Sequence, residues 1–205
     1  MMTSAQPLSL DDRALYRPSQ DPVLVEVPGF DFAMVDGAGD PDTSPGFQQA
    51  LASLYAYSYP VVIAMRRAGL GDQRIRPLEG LWWTDDPTGV DFTGDRTTWR
   101  WTLMIRQPQD VPAEIAAKAM ARVVAKVGPV AAAELRTARF VEGRCAQLLH
   151  HGPYADEHAA IERLHAFIAR NGLRPTGRHH EIYLTDPHRT LPQAMRTVLR
   201  QPVTG

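Results

Sequence analysis

The chain is short of the residues that would place it outside the ordinary globular classes. Its one cysteine, Cys145, leaves no internal disulfide and no thiolate cluster for a metal, fits a reducing compartment, and reads as a small core residue. Long apolar runs are missing too, none approaching the ~20 residues of a membrane span. The first residues (Asp11, Asp12) lack the basic-then-apolar order of a signal peptide. Nor is there an excess of positive charge: 22 Lys and Arg against 23 Asp and Glu give a net charge of −1. Neither a phosphate backbone nor anionic lipid is therefore the expected partner. These absences predict a cytoplasmic protein without membrane association or direct nucleic-acid binding, either a monomer or a weak homodimer. At 205 residues, 44% hydrophobic and 22% charged, the composition suits one domain with a sizeable core. What is abundant is local: Trp82, Trp83, Trp99 and Trp101 fall within twenty consecutive residues.

Residues 1–20, polar and carrying Pro7 and Pro18, read as a loosely held leader with Leu8, Leu10, Leu15 and Tyr16 as its packing residues. The domain follows, over 21–205. Alternating apolar residues from Val23 to Val35, interrupted by Pro28-Gly29, predict a bent strand or strand pair. Ser44 as N-cap and Pro45 at the first helical position open a helix to Arg67, bent near Pro60 and closed by Gly69 and Gly71. Strands at 76–84 and 98–106 make a hairpin across the polar linker 85–95. An alanine-rich helix at 112–135 has Gly128-Pro129 as terminator or interruption. A strand at 140–150, a turn at His151-Gly152-Pro153-Tyr154, a helix from about Asp156 ended by Asn171-Gly172, a strand at 178–185 and a terminal strand at 193–203 complete the chain.

The two halves of this reading repeat each other. Met34-Val35-Asp36-Gly37 corresponds to Leu149-His150-His151-Gly152, and Glu79-Gly80-Leu81-Trp82-Trp83-Thr84-Asp85-Asp86-Pro87 to Glu181-Ile182-Tyr183-Leu184-Thr185-Asp186-Pro187. The first repeat is placed at about 23–107, the linking helix at 112–135 and the second repeat at about 138–203. The fold class that follows is α+β: two tandem β-α-β-β units related by a pseudo-two-fold, with antiparallel sheets forming a concave cleft and helices on the opposite face. Alternation then sorts the strands. If Ile182 and Leu184 pack on the helix, Glu181 and Tyr183 line the cleft, and the repeat carries Glu79 and Trp83 with them. Trp99 and Trp101 share a face and are read as further cleft walls; Trp82 and the helix aromatics are read as core.

A site walled by Trp83, Trp99, Trp101, Tyr154 and Tyr183 and floored by glutamates suits a flat, lipophilic, often cationic small molecule. A carboxyl group in such surroundings has its pKa raised by desolvation, as a general acid or base near neutrality requires. Glu157 reads equally as a first-turn residue favoured by the helix dipole and as a cleft residue. A metal is not expected: His150-His151 and His179-His180 are adjacent pairs whose members point to opposite faces of a strand. No nucleophile elbow is present, and Gly37-Ala38-Gly39 lacks the third glycine of a dinucleotide loop, so no cofactor is expected.

The stretches Leu78-Glu79-Gly80-Leu81-Trp82-Trp83, His151-Gly152-Pro153-Tyr154 and His179-His180-Glu181-Ile182-Tyr183-Leu184-Thr185-Asp186-Pro187 resemble the GyrI-like small-molecule-binding proteins, over about residues 20–203. That resemblance implies tandem β-α-β-β units and an aromatic cleft with a glutamate for lipophilic cations. Glu181 matches its ligand-facing acidic position and Tyr154 and Trp83 its aromatic walls, with Gly152 and Pro153 in the turn beside them. No helix-turn-helix segment precedes Val23, so a complete transcription activator is not expected. The Glu-Gly-Leu-Trp-Trp stretch also resembles a stand-alone branch of hydrolases that act on cyclopropyl-bearing, DNA-alkylating natural products in self-protection or detoxification. On that reading Glu181, with Glu157 or Glu79, handles the protons and Tyr154 is a donor. The alternative is a binding module that sequesters lipophilic cations, with Glu181 as counter-charge.

Overall fold

The computed structural model describes residues 10–70, 74–85 and 94–205, with residues 10–12 as backbone alone. The expectations for Pro7, Leu8, the Leu10 side chain, Gly71, Asp86, Pro87 and most of the 85–95 linker lie outside the described residues. The chain divides into two compact units. One is continuous, from Gly29 to Val141; the other is split, joining the segment up to Pro28 to Glu142–Gly205.

The continuous unit contains β2 (Phe30–Ala38), α2 (Pro45–Arg67), β3 (Leu78–Trp83), β4 (Arg100–Arg106), α3 (Ala113–Val127), α4 (Pro129–Ala133) and β5 (Arg136–Phe140). The split unit contains α1 (Leu10–Tyr16) and β1 (Val23–Val27), then β6 (Gly143–His151), α5 (His158–Arg170), the short β7 (Arg174–Pro175), β8 (His179–Tyr183) and β9 (Arg196–Thr204). The sheet of the continuous unit runs β3-β4-β2-β5, and that of the split unit β1-β6-β9-β8, all pairs antiparallel. Each unit thus builds the same β-α-β-β motif (β2-α2-β3-β4 and β6-α5-β8-β9), with its first strand flanked by one added strand. The fold is α+β with a tandem repeat.

Two expectations that the sequence left open are settled, the strand pair at 23–35 and the interruption at Gly128-Pro129, and one, the single strand at 140–150, changes. The 23–35 stretch is two strands that part at Pro28-Gly29, where the chain also passes from one unit to the other: β1 pairs with β6, and β2 with β4 and β5. The 140–150 strand is likewise two, β5 ending at Phe140 and β6 starting at Gly143. Between Pro112 and Leu135 the helix breaks at Gly128, whose φ of 84° lies outside helical geometry, and Pro129 restarts it as α4.

Local chemistry explains the boundaries. Ser44 holds the N-cap backbone position of α2, but its hydroxyl donates to the Ala38 carbonyl (3.4 Å) and not as a cap acceptor; Pro45 supplies the helix start. At the far end Leu70 N donates to Met65 O and Gly69 N to Arg66 O, closing the last carbonyls. α2 buries Leu54, Tyr57, Val61, Val62 and Met65 along one stripe, and α5 buries Ile161, Leu164 and Ile168. No helix among the described residues is long and apolar enough to cross a membrane.

The split unit also buries charge. Glu142 accepts from Arg200 Nη1 (3.1 Å) and lies 2.9 Å from His180 Nδ1. Arg200 further donates to Gln147 Oε1 (3.0 Å) and to the Leu15 carbonyl (2.8 Å), and Gln147 donates to the Ala14 carbonyl. His180, Arg200 and Gln147 are cross-strand neighbours in register, so they line one face of the sheet, and that face holds α1. Burial alone would raise the Glu142 pKa; His180 and Arg200 overcome it and bring it down to about 2. Leu15 is buried through this attachment, where the sequence read a loosely held leader.

Candidate active site

In the split unit the other face of the sheet carries the acid chemistry. Tyr183 and Thr197 are register partners, as are Thr197 and His150, and Glu181 pairs with Leu199. Glu181, Tyr183, Thr197 and His150 therefore point to one side. α5 approaches on that side. Its N-cap residue, Glu157, makes no side-chain cap hydrogen bond; its carboxyl group is buried beside Glu181 and Thr197. Of the two roles open to Glu157 in the sequence, dipole partner or site residue, the backbone fills the first position and the side chain turns to the sheet.

This corrects the face assignment. Ile182 and Leu184 were expected against the helix; the side chains on the α5 side are Glu181 and Tyr183, while Ile182 faces the other way.

Burial, and then the charge of Glu181, push the Glu157 pKa well above the usual carboxylate range. The Thr197 hydroxyl opposes the shift only weakly, without a formed hydrogen bond: Glu157 Oε1 and Thr197 Oγ1 are buried with no hydrogen-bond partner among the described residues. Tyr183 donates its hydroxyl proton to Glu181 Oε2 (2.8 Å). Burial and the neighbouring glutamate raise the Tyr183 pKa, so the phenol stays protonated and serves as a donor. The other Glu181 oxygen lies 3.7 Å from His179 Nε2. Burial, then His165 and His180, lower the His179 pKa to about 3, so this histidine is neutral at physiological pH. Of these two adjacent buried carboxyl groups, Glu157 is the one whose pKa is driven up, while Glu181 accepts from tyrosine. The arrangement can deliver a proton from one oxygen and take one up at the other.

Tyr154 sits in a single 3-10 turn after Pro153, 41% exposed, with its ring edge-on to Tyr183 at 5.6 Å. Gly152 has φ 129°, a conformation other residues rarely adopt, and a Cβ there would stand 3.3 Å from the His150 ring. The Pro153 carbonyl oxygen lies 3.3 Å from His150 Nε2. The turn thus brings Tyr154 to the tyrosine that holds Glu181.

The remaining expected site residues stand in the continuous unit. Trp101 and Trp82 are register partners, and Phe47 of α2 packs against both, edge-on to Trp101 (5.1 Å) and stacked on Trp82 (6.2 Å). Trp99 packs edge-on to Trp82 at 5.6 Å, with the Arg96 guanidinium 5.1 Å from its ring centre. Trp99 and Trp101, expected as ligand walls, are therefore buried packing of the α2 side together with Trp82. The sequence reading failed because the hairpin register pairs Trp101 with Trp82 and not Trp83, and one residue of register exchanges the faces.

The same slip separates the two glutamates that the repeat had aligned. Glu79, Leu81 and Trp83 pair with Met104, Thr102 and Arg100, on the β3 face away from Phe47. Glu79 is buried there and Trp83 half-buried. Glu181 lies on the α5 side of its sheet, so Glu79 is not its counterpart. Thr197 was not singled out in the sequence, and His179 was weighed there only as a metal ligand. The signal available for Thr197 was its parity with Glu181 across a hairpin, and that required the register. His179 and His180 do face opposite sides, one beside Glu181 and one on Glu142. No group of three or more metal-ligating side chains occurs among the described residues.

Residues 20–203 match a family model described as a GyrI-like small molecule binding domain. Among solved structures, an uncharacterized conserved protein from Listeria innocua is 38% identical, with a TM-score of 0.84 over 94% of this chain and 97% of that one. A hydrolase from the same organism is 36% identical, with a TM-score of 0.79 over 94% and 96%. A further Listeria innocua hydrolase is 35% identical, with a TM-score of 0.81 over the same shares. No curated protein matches the chain.

Proposed function

Since the chain belongs to the GyrI-like small molecule binding domain family, we propose that the Glu157–Glu181 pair is the catalytic centre of a hydrolase. Its substrates are flat molecules of the DNA-alkylating cyclopropylpyrroloindole type, and the reaction opens their strained ring. The observation that carries this reading is a buried Glu157, its pKa pushed up by burial and by Glu181, beside a Glu181 that accepts from Tyr183. Two relatives named as hydrolases, at 36% and 35% identity, support the reaction class.

Glu181 takes a proton from a water molecule, whose oxygen bonds to the ring methylene. The strained C–C bond breaks, and its electron pair moves into the conjugated dienone, giving a phenolate. Glu157 donates its proton to the phenolate oxygen. The net change is addition of one water, and passage of the proton from Glu181 back to Glu157 restores the pair. Tyr183 keeps the Glu181 oxygen oriented, and the exposed ring of Tyr154 offers a stacking surface for the polycycle.

Incubation with a cyclopropylpyrroloindole compound tests this. Mass spectrometry is expected to find the water-added, ring-opened product above the uncatalysed rate, with Glu181→Gln about 10²-fold slower or more. No turnover by the wild-type protein overturns the reading. A second reading, sequestration of lipophilic cations without chemistry, is favoured by the exposed Tyr154 ring beside an acidic pair. It predicts fluorescence quenching by such cations, no consumption of them, and loss of quenching in Glu181→Gln.

A further inference from the structure

The continuous unit carries a surface feature unrelated to the carboxyl pair. α2 and α3 border an open groove of about 360 Å³, with Tyr55, Ala56, Tyr59 and Pro60 on one wall and Arg122 and Lys126 on the other. Tyr55 and Tyr59 are 38% and 47% exposed, with ring centres 5.9 Å apart. Ile63, one turn further along α2, is also exposed, so the apolar wall follows i, i+4, i+8. The facing wall carries two cations one turn apart, Arg122 and Lys126 on α3, both exposed; Lys118 continues their spacing beyond the groove lining, and Glu114 lies one turn before it. α2 has no acidic residue along its length, and its last turn adds Arg66 and Arg67. In a chain of net charge −1 this groove is a local concentration of positive charge. Pro60 has no N–H, so the Ala56 carbonyl in the groove wall lacks its helical donor.

We infer that this groove docks an acidic, amphipathic peptide segment of a partner protein, its apolar side chains on Tyr55 and Tyr59 and its carboxylates on Arg122 and Lys126. The apolar wall extends over two turns, about 11 Å, which matches an amphipathic peptide read at i, i+4 and i+8. A small ligand would need most of its surface enclosed, which an open groove between two helices does not provide. The matched charge sets the partner's sign and orders the encounter.

The test uses the full chain and a fluorescein-labelled helical peptide of about 14 residues, with leucine and phenylalanine on one face and glutamates elsewhere. Anisotropy is expected to show binding that weakens with salt, and no binding by the counterpart peptide with lysines replacing the glutamates. Arg122→Glu with Lys126→Glu is expected to weaken binding about tenfold, and Tyr59→Ser to weaken it further, while Glu181→Gln leaves it unchanged. Equal binding of both peptides, or binding unaffected by the charge reversal, overturns the proposal. So does displacement of the peptide by 2-naphthoate at equal concentration, which would assign the groove to a small aromatic anion. A homodimer that the charge reversal dissolves, seen by sedimentation, would assign it to a second copy and also overturns the proposal.

Discussion

Glu157 shows how one side chain acquires a chemical role from its surroundings. As a helix N-cap residue it would ordinarily be ionised and stabilising. Buried beside Glu181, it holds its proton well above the usual carboxylate range. A group that binds its proton more tightly when folded favours folding while protonated, and that contribution is lost as pH rises from about 4.5 through the folded pKa. Thermal melts of the wild type are therefore expected to fall over this range, by at most about 1.4 kcal/mol per pH unit. Glu157→Gln, which has no proton to lose, is expected to flatten the fall and to melt higher at alkaline pH. A variant with the same pH slope as the wild type would refute the assignment. Little of this was legible beforehand. The sequence offered Glu157, Glu181 and Glu79 as candidates; only the buried contact singles out the first two and sets Glu79 apart, in another unit and on another face.

At the scale of the element, the β3–β4 hairpin decided which aromatics became core. The strands themselves were legible, because Leu78–Trp83 and Arg100–Arg106 are rich in aromatic and aliphatic residues and bounded by polar linkers. Their register was not, since the linker fixes no short turn type. With Trp101 opposite Trp82 on one strand and Gly37 on the other, the indole occupies the space a side chain at 37 would need. A Cβ built on Gly37 falls inside the Trp101 ring. Gly37→Ala is expected to cost about 1–3 kcal/mol through overpacking, measured by urea unfolding. Combination with Trp101→Leu is expected to recover part of that loss. An additive double variant would show that the contact is not the cause. The Gly-turn match between Gly37 and Gly152 is thus a repeat in sequence served by different physics: space for an indole in one case, a positive φ in the other.

At the scale of the molecule, two features were beyond one-dimensional reading. The strand that precedes each repeat adds to the sheet of the other repeat's unit, so β1 lies with β6 and β5 with β2, about a hundred residues away in sequence. The second feature is the buried Glu142–Arg200–His180 group, which ties the start of β6 and the last strand to the carbonyl of Leu15. It bears on acid stability. The Glu142 pKa is lowered to about 2, so its contribution is present above the unfolded value and lost as pH falls toward 2. His179, lowered to about 3, resists protonation in the fold and adds to the loss between about pH 6.5 and 3. Together with the Glu157 effect, the stability–pH curve is expected to have a maximum between an acid and an alkaline limb. Glu142→Gln is expected to lower stability by about 3–5 kcal/mol at neutral pH, because Arg200 stays buried without its anion. A loss under 1 kcal/mol would show that the network is solvated.

By itself the sequence determined the α+β class, the β-α-β-β repeat and the residue types available for chemistry. These depend on local propensity, period and punctuation, which neighbours along the chain encode. The tertiary structure alone decided which face each residue took, which glutamates met, where the N-terminal segment attached and which tryptophans became core. Those outcomes depend on strand register and on pairing across long separations, and a shift of one residue in register changes every face while leaving the local pattern the same.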